Sequence, residues 1–144
     1  MATQAGEAKS PPENQASRLY AASMACPSLP TCGLGLAESE RALPGFINRI
    51  EKLTNELGLG NEEIIIRSTG CPNGCARPYM AELAFVGKAP GKYQLWLGGD
   101  VSGQRLNRVY KDVIKEAELE AELRPLFTRW KNDRLAGERF GDFA

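Results

Sequence analysis

Glu62-Glu63-Ile64-Ile65-Ile66-Arg67-Ser68-Thr69 runs straight into Gly70-Cys71-Pro72-Asn73-Gly74-Cys75. The first eight residues are a short run, β-branched at Ile64, Ile65, Ile66 and Thr69, and predict a buried strand. Gly70 to Cys75 cannot continue it. Glycine and proline surround two cysteines separated by three residues, so the strand delivers the chain to a sulfur-bearing turn.

Downstream, Glu82–Gly87 and Lys92–Leu97 read as two further strands, separated by the turn signal Lys88-Ala89-Pro90-Gly91, with Gly98-Gly99-Asp100 as another break. Upstream, Phe46, Ile47, Ile50, Leu53 and Leu57 recur at three- and four-residue spacings. They predict a helix opening near Pro44 and stopped by Gly58 and Gly60. Leu34, Leu36, Ala37 and the Glu38–Arg41 stretch suggest a short additional helix directly after Cys32. From about Glu118 to Ala136, Leu119, Leu123, Leu126, Phe127 and Trp130 give a final helical stripe, which Pro125 should interrupt or kink. The fold class is therefore α+β, a small mixed sheet flanked by helices.

Residues 1–17, MATQAGEAKSPPENQAS, hold almost no large apolar side chains and read as a disordered leader. They lack the apolar run of a signal peptide, and Glu7 and Glu13 fit a transit peptide poorly. The domain expected to fold is 18–144.

The 144 residues are 42% hydrophobic and 25% charged, as expected of a soluble globular domain, and no apolar stretch approaches the roughly 18 residues that span a bilayer. Eighteen basic residues balance eighteen acidic ones, so charge indicates neither a nucleic-acid nor a membrane partner. Histidine is absent, which removes the usual general base near neutral pH and the commonest nitrogen ligand. The acidic run Glu116, Glu118, Glu120, Glu122 reads as the solvated face of a helix. Trp96, Tyr110, Phe127 and Trp130 read as core. Gly98-Gly99-Asp100 with Gly103 lacks the GK[ST] ending of a phosphate loop. Chemistry is left to the cysteines.

They are spaced Cys26-x5-Cys32, then 38 residues, then Cys71-x3-Cys75. Three readings compete. Disulfides require an oxidising compartment and usually a secretory signal. Structural zinc normally uses shorter C-x2-C pairs at tight turns. A 4Fe-4S cluster needs only loops that converge. Gly33, Gly70 and Gly74 would let backbone N–H groups approach cluster sulfurs, and Pro27 and Pro72 would stiffen the turns.

Ser23–Cys32 (SMACPSLPTC) and Thr69–Glu82 (TGCPNGCARPYMAE), together with Phe85-Val86-Gly87, Trp96-Leu97-Gly98-Gly99 and Gly141-Asp142-Phe143, resemble assimilatory sulfite reductase. The resemblance runs from about Leu19 to Phe143. The wording CARPYMAEL and YQLWLGG is similar to the ferredoxin-dependent branch of plants and cyanobacteria. It implies one half of the nitrite/sulfite reductase siroheme–4Fe-4S domain, the C-terminal cluster-binding portion of an enzyme several times longer. It implies that Cys26, Cys32, Cys71 and Cys75 ligate a 4Fe-4S cluster, and that Cys75 also bridges to a siroheme iron as the catalytic thiolate. Asn73 and Arg77 would lie beside the cofactor pair. The implied reaction takes sulfite to sulfide with six electrons, in sulfate assimilation. The implied partners are ferredoxin, or alternatively an NADPH-flavoprotein subunit, and the missing N-terminal half; the compartment would be the plastid stroma or the bacterial cytoplasm. The chain alone is expected to be inactive and, without a cluster joining its cysteine loops, loosely folded. A nitrite reductase fragment and a non-catalytic iron–sulfur electron-relay or interaction module are the other readings. Arg67, Lys88, Lys92, Arg105 and Arg108 are read as surface charge.

Overall fold

A computed structural model describes residues 18–60 and 62–144; the expected leader 1–17 lies outside the described residues. Five strands form one mixed sheet in the order β1-β2-β3-β4-β5. They are β1 (Met24–Ala25), β2 (Ile66–Thr69), β3 (Leu83–Ala89), β4 (Lys92–Leu97) and β5 (Arg108–Lys115). β1 and β3 both run parallel to β2, and the hairpins β3–β4 and β4–β5 are antiparallel. The helices are α1 (Arg18–Ala21), α2 (Leu43–Glu56), α3 (Leu119–Asp133) and α4 (Phe140–Phe143).

The apolar stripes place the long helices. α2 buries Leu43, Phe46, Ile47, Ile50 and Leu53, and α3 buries Leu119, Leu123, Phe127 and Trp130. Both sets meet Ile66, Leu83, Phe85, Tyr93, Leu95 and Leu97 from one face of the sheet in a single core. Phe46 stacks on Phe85 and Tyr93, with ring centroids 5.0 and 5.4 Å apart. Each such side chain, fully buried, is worth about 1.5–3 kcal/mol. Arg49 on α2 pairs with Glu120 on α3, and Arg124 on α3 reaches Glu56 on α2 at 2.8 Å.

The α+β class and the mixed sheet are as the sequence indicates, with four corrections. No helix follows Cys32: residues 33–41 are turns, because Leu36 and Ala37 donate their N–H groups to Gly70 O instead of to a helical ladder. Pro125 does not interrupt α3, which runs on through it; the residue is exposed, and water can satisfy the carbonyl that loses its donor. β1 and β5 join the three expected strands, and the strand expected over 62–69 forms ladder only from Ile66. Tyr110 is not core: it lies exposed on β5.

Side chains alternate across a strand, so Ile66 and Ser68 face the helices while Arg67 and Thr69 face the other way. The segment from Cys71 to Ala81 lies on that second side: Tyr79 packs on Trp96, and Arg67 bonds Arg77 O.

Candidate metal centre

All four cysteines are free thiols: Cys26 is buried, Cys32 and Cys71 are half-buried, and Cys75 is exposed. Parallel pairing of β1 with β2 sets Ala25 opposite Ser68, and Cys26 N donates to Ser68 O at 3.2 Å. One residue pair further on, Gly70 N donates to Cys26 Sγ at 3.4 Å. Cys26 is thus held against the residue that precedes Cys71. The Cys32 loop folds back onto the same place. Cys32 N donates to Ser28 O at 2.7 Å, and Leu36 N to Gly70 O at 2.9 Å. Leu34 N donates to Cys32 Sγ at 3.4 Å.

Gly70 is where three stretches of chain cross. A Cβ there would run into Ser28 Oγ and Ala37 O, so only glycine fits. Gly74, at φ 70°, turns the chain toward Cys75. A Cβ built at Gly33 would meet no protein atom within 4 Å.

Arg77 and Asn73 are both exposed. Arg77 carries a left-handed backbone, φ 52°, immediately before Pro78, and Arg67 Nη1 donates to its carbonyl at 3.1 Å. A non-glycine residue held there costs on the order of 1–3 kcal/mol, and such strain clusters at functional sites. Burial, and after it the negative charge of Cys71, push the Tyr79 phenol above its usual range; its hydroxyl donates to Pro72 O at 2.7 Å.

The residues fit a thiolate-held cluster in two respects. Two cysteine sulfurs already accept backbone N–H groups, the interaction that tunes cluster potential. Thr69 Oγ1, just before Gly70-Cys71, is buried without a partner among the described residues and offers a hydroxyl donor of the kind cluster sulfurs accept. Among the described residues no three Cys, Asp or Glu side chains gather around a single-ion position. A four-iron cube spreads its thiolates, one to each iron.

Backbone bonds join the two cysteine segments, at Cys26 N to Ser68 O and at Leu36 N and Ala37 N to Gly70 O. Arg105 lies exposed at the surface, as the sequence reading has it, and is bonded there. It donates to Gly98 O, Gly141 O and Asp142. A groove of about 510 Å³ between β5 and α3, lined by Leu97, Leu106, Tyr110, Leu126 and Phe143 among others, shares no residue with the cysteine segments.

No family model matches the chain. Over 121 residues, 84% of this chain, it is 61% identical to the sulfite reductase (NADPH) hemoprotein beta-component of Staphylococcus epidermidis. The chain is a homologue of the sulfite reductase hemoproteins. It is also 61% identical, over 120 residues and 83% of its length, to the sulfite reductase (ferredoxin) of Synechococcus elongatus. The chain spans about one fifth of these relatives, 21% and 19% of their lengths. NADPH-type and ferredoxin-type names stand at equal identity, so the CARPYMAEL and YQLWLGG wording does not separate the two donors. The NirA protein of Mycobacterium tuberculosis shares the fold, with a TM-score of 0.75 at 22% identity over 90% of this chain and 26% of that one.

Sequence reasoning missed Asn107, which is 6% exposed and bonded to the turn after Arg77. A lone asparagine beside one basic residue carries no local signal of that role. It also missed Glu82, whose buried carboxylate accepts from Ile65 N, Gly141 N and Arg139. Together with the bond from Glu82 N to Ile65 O at 3.1 Å, it clasps the base of the segment that carries Cys71 and Cys75.

Proposed function

We propose that the chain is the 4Fe-4S- and siroheme-binding portion of a sulfite reductase, with residues 18–144 as the folded unit. The observation that carries this reading is the bond from Gly70 N to Cys26 Sγ, where the two cysteine segments meet. Cys26, Cys32, Cys71 and Cys75 would hold the cluster, and Cys75, the exposed member, would also reach the siroheme iron. When bound, the cofactor pair supplies one-electron chemistry for the six-electron reduction of sulfite to sulfide.

The chain's own contribution is placement. Gly70 and Leu34 aim N–H groups at sulfur, Gly74 turns the loop, and Asn73 and Arg77 stand two residues before and after Cys75 in the sequence. The groups that bind sulfite, and most that would bind siroheme carboxylates, belong to the remaining four fifths of such an enzyme. The electron donor in this reading is ferredoxin, with an NADPH-flavoprotein as the alternative, and the setting is the bacterial cytoplasm or plastid stroma. Among the described residues no helix is long and apolar enough to cross a membrane.

Anaerobic reconstitution of the chain with iron and sulfide tests the ligand set. Uptake of about four irons per chain, with cluster absorption abolished in Cys75→Ser, is the expected result. Iron uptake that survives the double substitution Cys26→Ser, Cys71→Ser would defeat the proposal.

A further inference from the structure

We propose that Asn107 and Tyr79 act together as positioning residues for the Cys71–Cys75 loop, a relay of hydrogen bonds that starts outside the cysteine segments. Its relevance to a metal centre rests on the cluster reading above.

Asn107 stands one residue before β5. Its backbone N–H donates to Tyr79 O at 2.9 Å, and its Nδ2 donates to Pro78 O at 2.8 Å and Ala81 O at 3.0 Å. One buried residue therefore holds three carbonyls of the turn after Arg77. Inside that turn, the Tyr79 ring packs edge-on against Trp96 with centroids 4.8 Å apart. Its hydroxyl reaches back to Pro72 O, the residue after Cys71. The ring occupies the space beside Gly74, where a Cβ would meet Tyr79 Cε2 at 2.9 Å.

The loop needs such support. Its own bonds are few: Arg77 N to Gly74 O at 2.9 Å and Gly74 N to Cys71 O at 3.4 Å. Arg77 is strained, and a left-handed non-glycine residue persists only where its surroundings over-determine it. Arg67 fixes the Arg77 carbonyl from β2, while Asn107 fixes the next turn from beside the edge strand β5. Sulfur position depends on both, because Cys75 lies between the two residues, Pro72 and Pro78, that the relay pins.

Two variants test this. Tyr79→Phe removes only the hydroxyl and leaves the ring on Trp96. Asn107→Asp keeps the shape but turns an oxygen instead of an NH2 toward two carbonyls. Amide exchange at Gly74 and Arg77 is read in the chain without cluster, with Phe85 and Leu95 as core controls. The reconstituted chain is then read by cluster spectrum and midpoint potential. Exchange at Gly74 and Arg77 should accelerate about tenfold, the factor for losing one hydrogen bond of about 1.4 kcal/mol, while the core amides hold. The cluster spectrum and potential should move in both variants, more in Asn107→Asp. Should Asn107→Asp fail to fold, Tyr79→Phe still decides. Unchanged exchange at both amides in Tyr79→Phe overturns the relay. A wild-type chain that takes up no cluster overturns the function proposed above, and the exchange readout still judges the relay.

Discussion

On the helix side of the sheet, buried polar side chains have partners. Tyr93 Oη donates to Glu38 O at 2.6 Å, Ser39 Oγ to Ser68 O at 2.8 Å, and Thr54 Oγ1 to Glu51 O at 3.0 Å. On the cysteine side, Arg67 Nε, Thr69 Oγ1 and Asn107 Oδ1 are buried with none among the described residues, and Arg77 keeps a left-handed backbone. Native structures leave few buried polar atoms unpaired, and strained residues concentrate where a site is built. One side of this sheet is finished by apolar packing and holds the fold. The other, lightly tied, presents sulfur and polar groups. Apolar packing and the cysteine segments are thus divided between two faces of one sheet.

The division can be broken first from the helix side. Trp130 is fully buried among Phe127 and Phe140. Trp130→Ala should lower unfolding free energy by about 3–5 kcal/mol, read by urea denaturation. A loss below about 0.5 kcal/mol, the range of a surface substitution, would mean that the core does not rest on α3.

A smaller effect is expected at the joint of the two cysteine segments. Gly70→Ala forces a methyl onto Ser28 Oγ and Ala37 O. It should cost about 1–3 kcal/mol and also abolish iron uptake, while Trp130→Ala, kept folded at low temperature, should retain uptake. Normal iron stoichiometry in Gly70→Ala would dissolve the distinction between the sides.

The smallest effect comes from the ion pairs between elements. Hydrogen bonds from Arg134 and Arg49 hold the carboxyls of Glu62 and Glu120 below the usual glutamate range. Their stabilisation is therefore complete above the ordinary glutamate pKa of about 4.3 and fades as pH falls through the depressed folded values. Glu62 and Glu120 side chains are 32% and 42% exposed, so solvent screens them, and each pair is worth about 0.2–1 kcal/mol. Thermal unfolding followed from neutral pH down through the glutamate range should show a shallow decline that Glu120→Gln partly flattens. An identical decline in that variant would remove the Arg49 pair from the account.

Legibility in the sequence differed between the sides in the same way. The stripes of α2 and α3 could be read because burial on one face imposes a period near 3.6 residues. β5 could not: only Ile114 of its eight residues is buried, and ladder irregularities blur the alternation. The stretch after Cys32 has helical composition, but long-range bonds to Gly70 O override it. At the candidate site, Cys26, Cys32, Cys71 and Cys75 could be named from their turn chemistry. Asn107 and Glu82 could not, since what they do depends on carbonyls and amides 17 to 59 residues away.

By itself, the sequence determined the inventory: four cysteines set in glycine- and proline-rich turns, no histidine, two amphipathic helices and a strand aimed at a sulfur-bearing loop. Only tertiary structure decided that a two-residue strand, β1, pairs parallel with β2 and so brings Cys26 to Gly70, and that Asn107 fastens the turn beyond Arg77. Two residues have no period to read, and a hydrogen bond across 44 positions leaves no trace in local composition. Periodicity reports which side of an element is buried, whereas pairing and register emerge only when the elements pack.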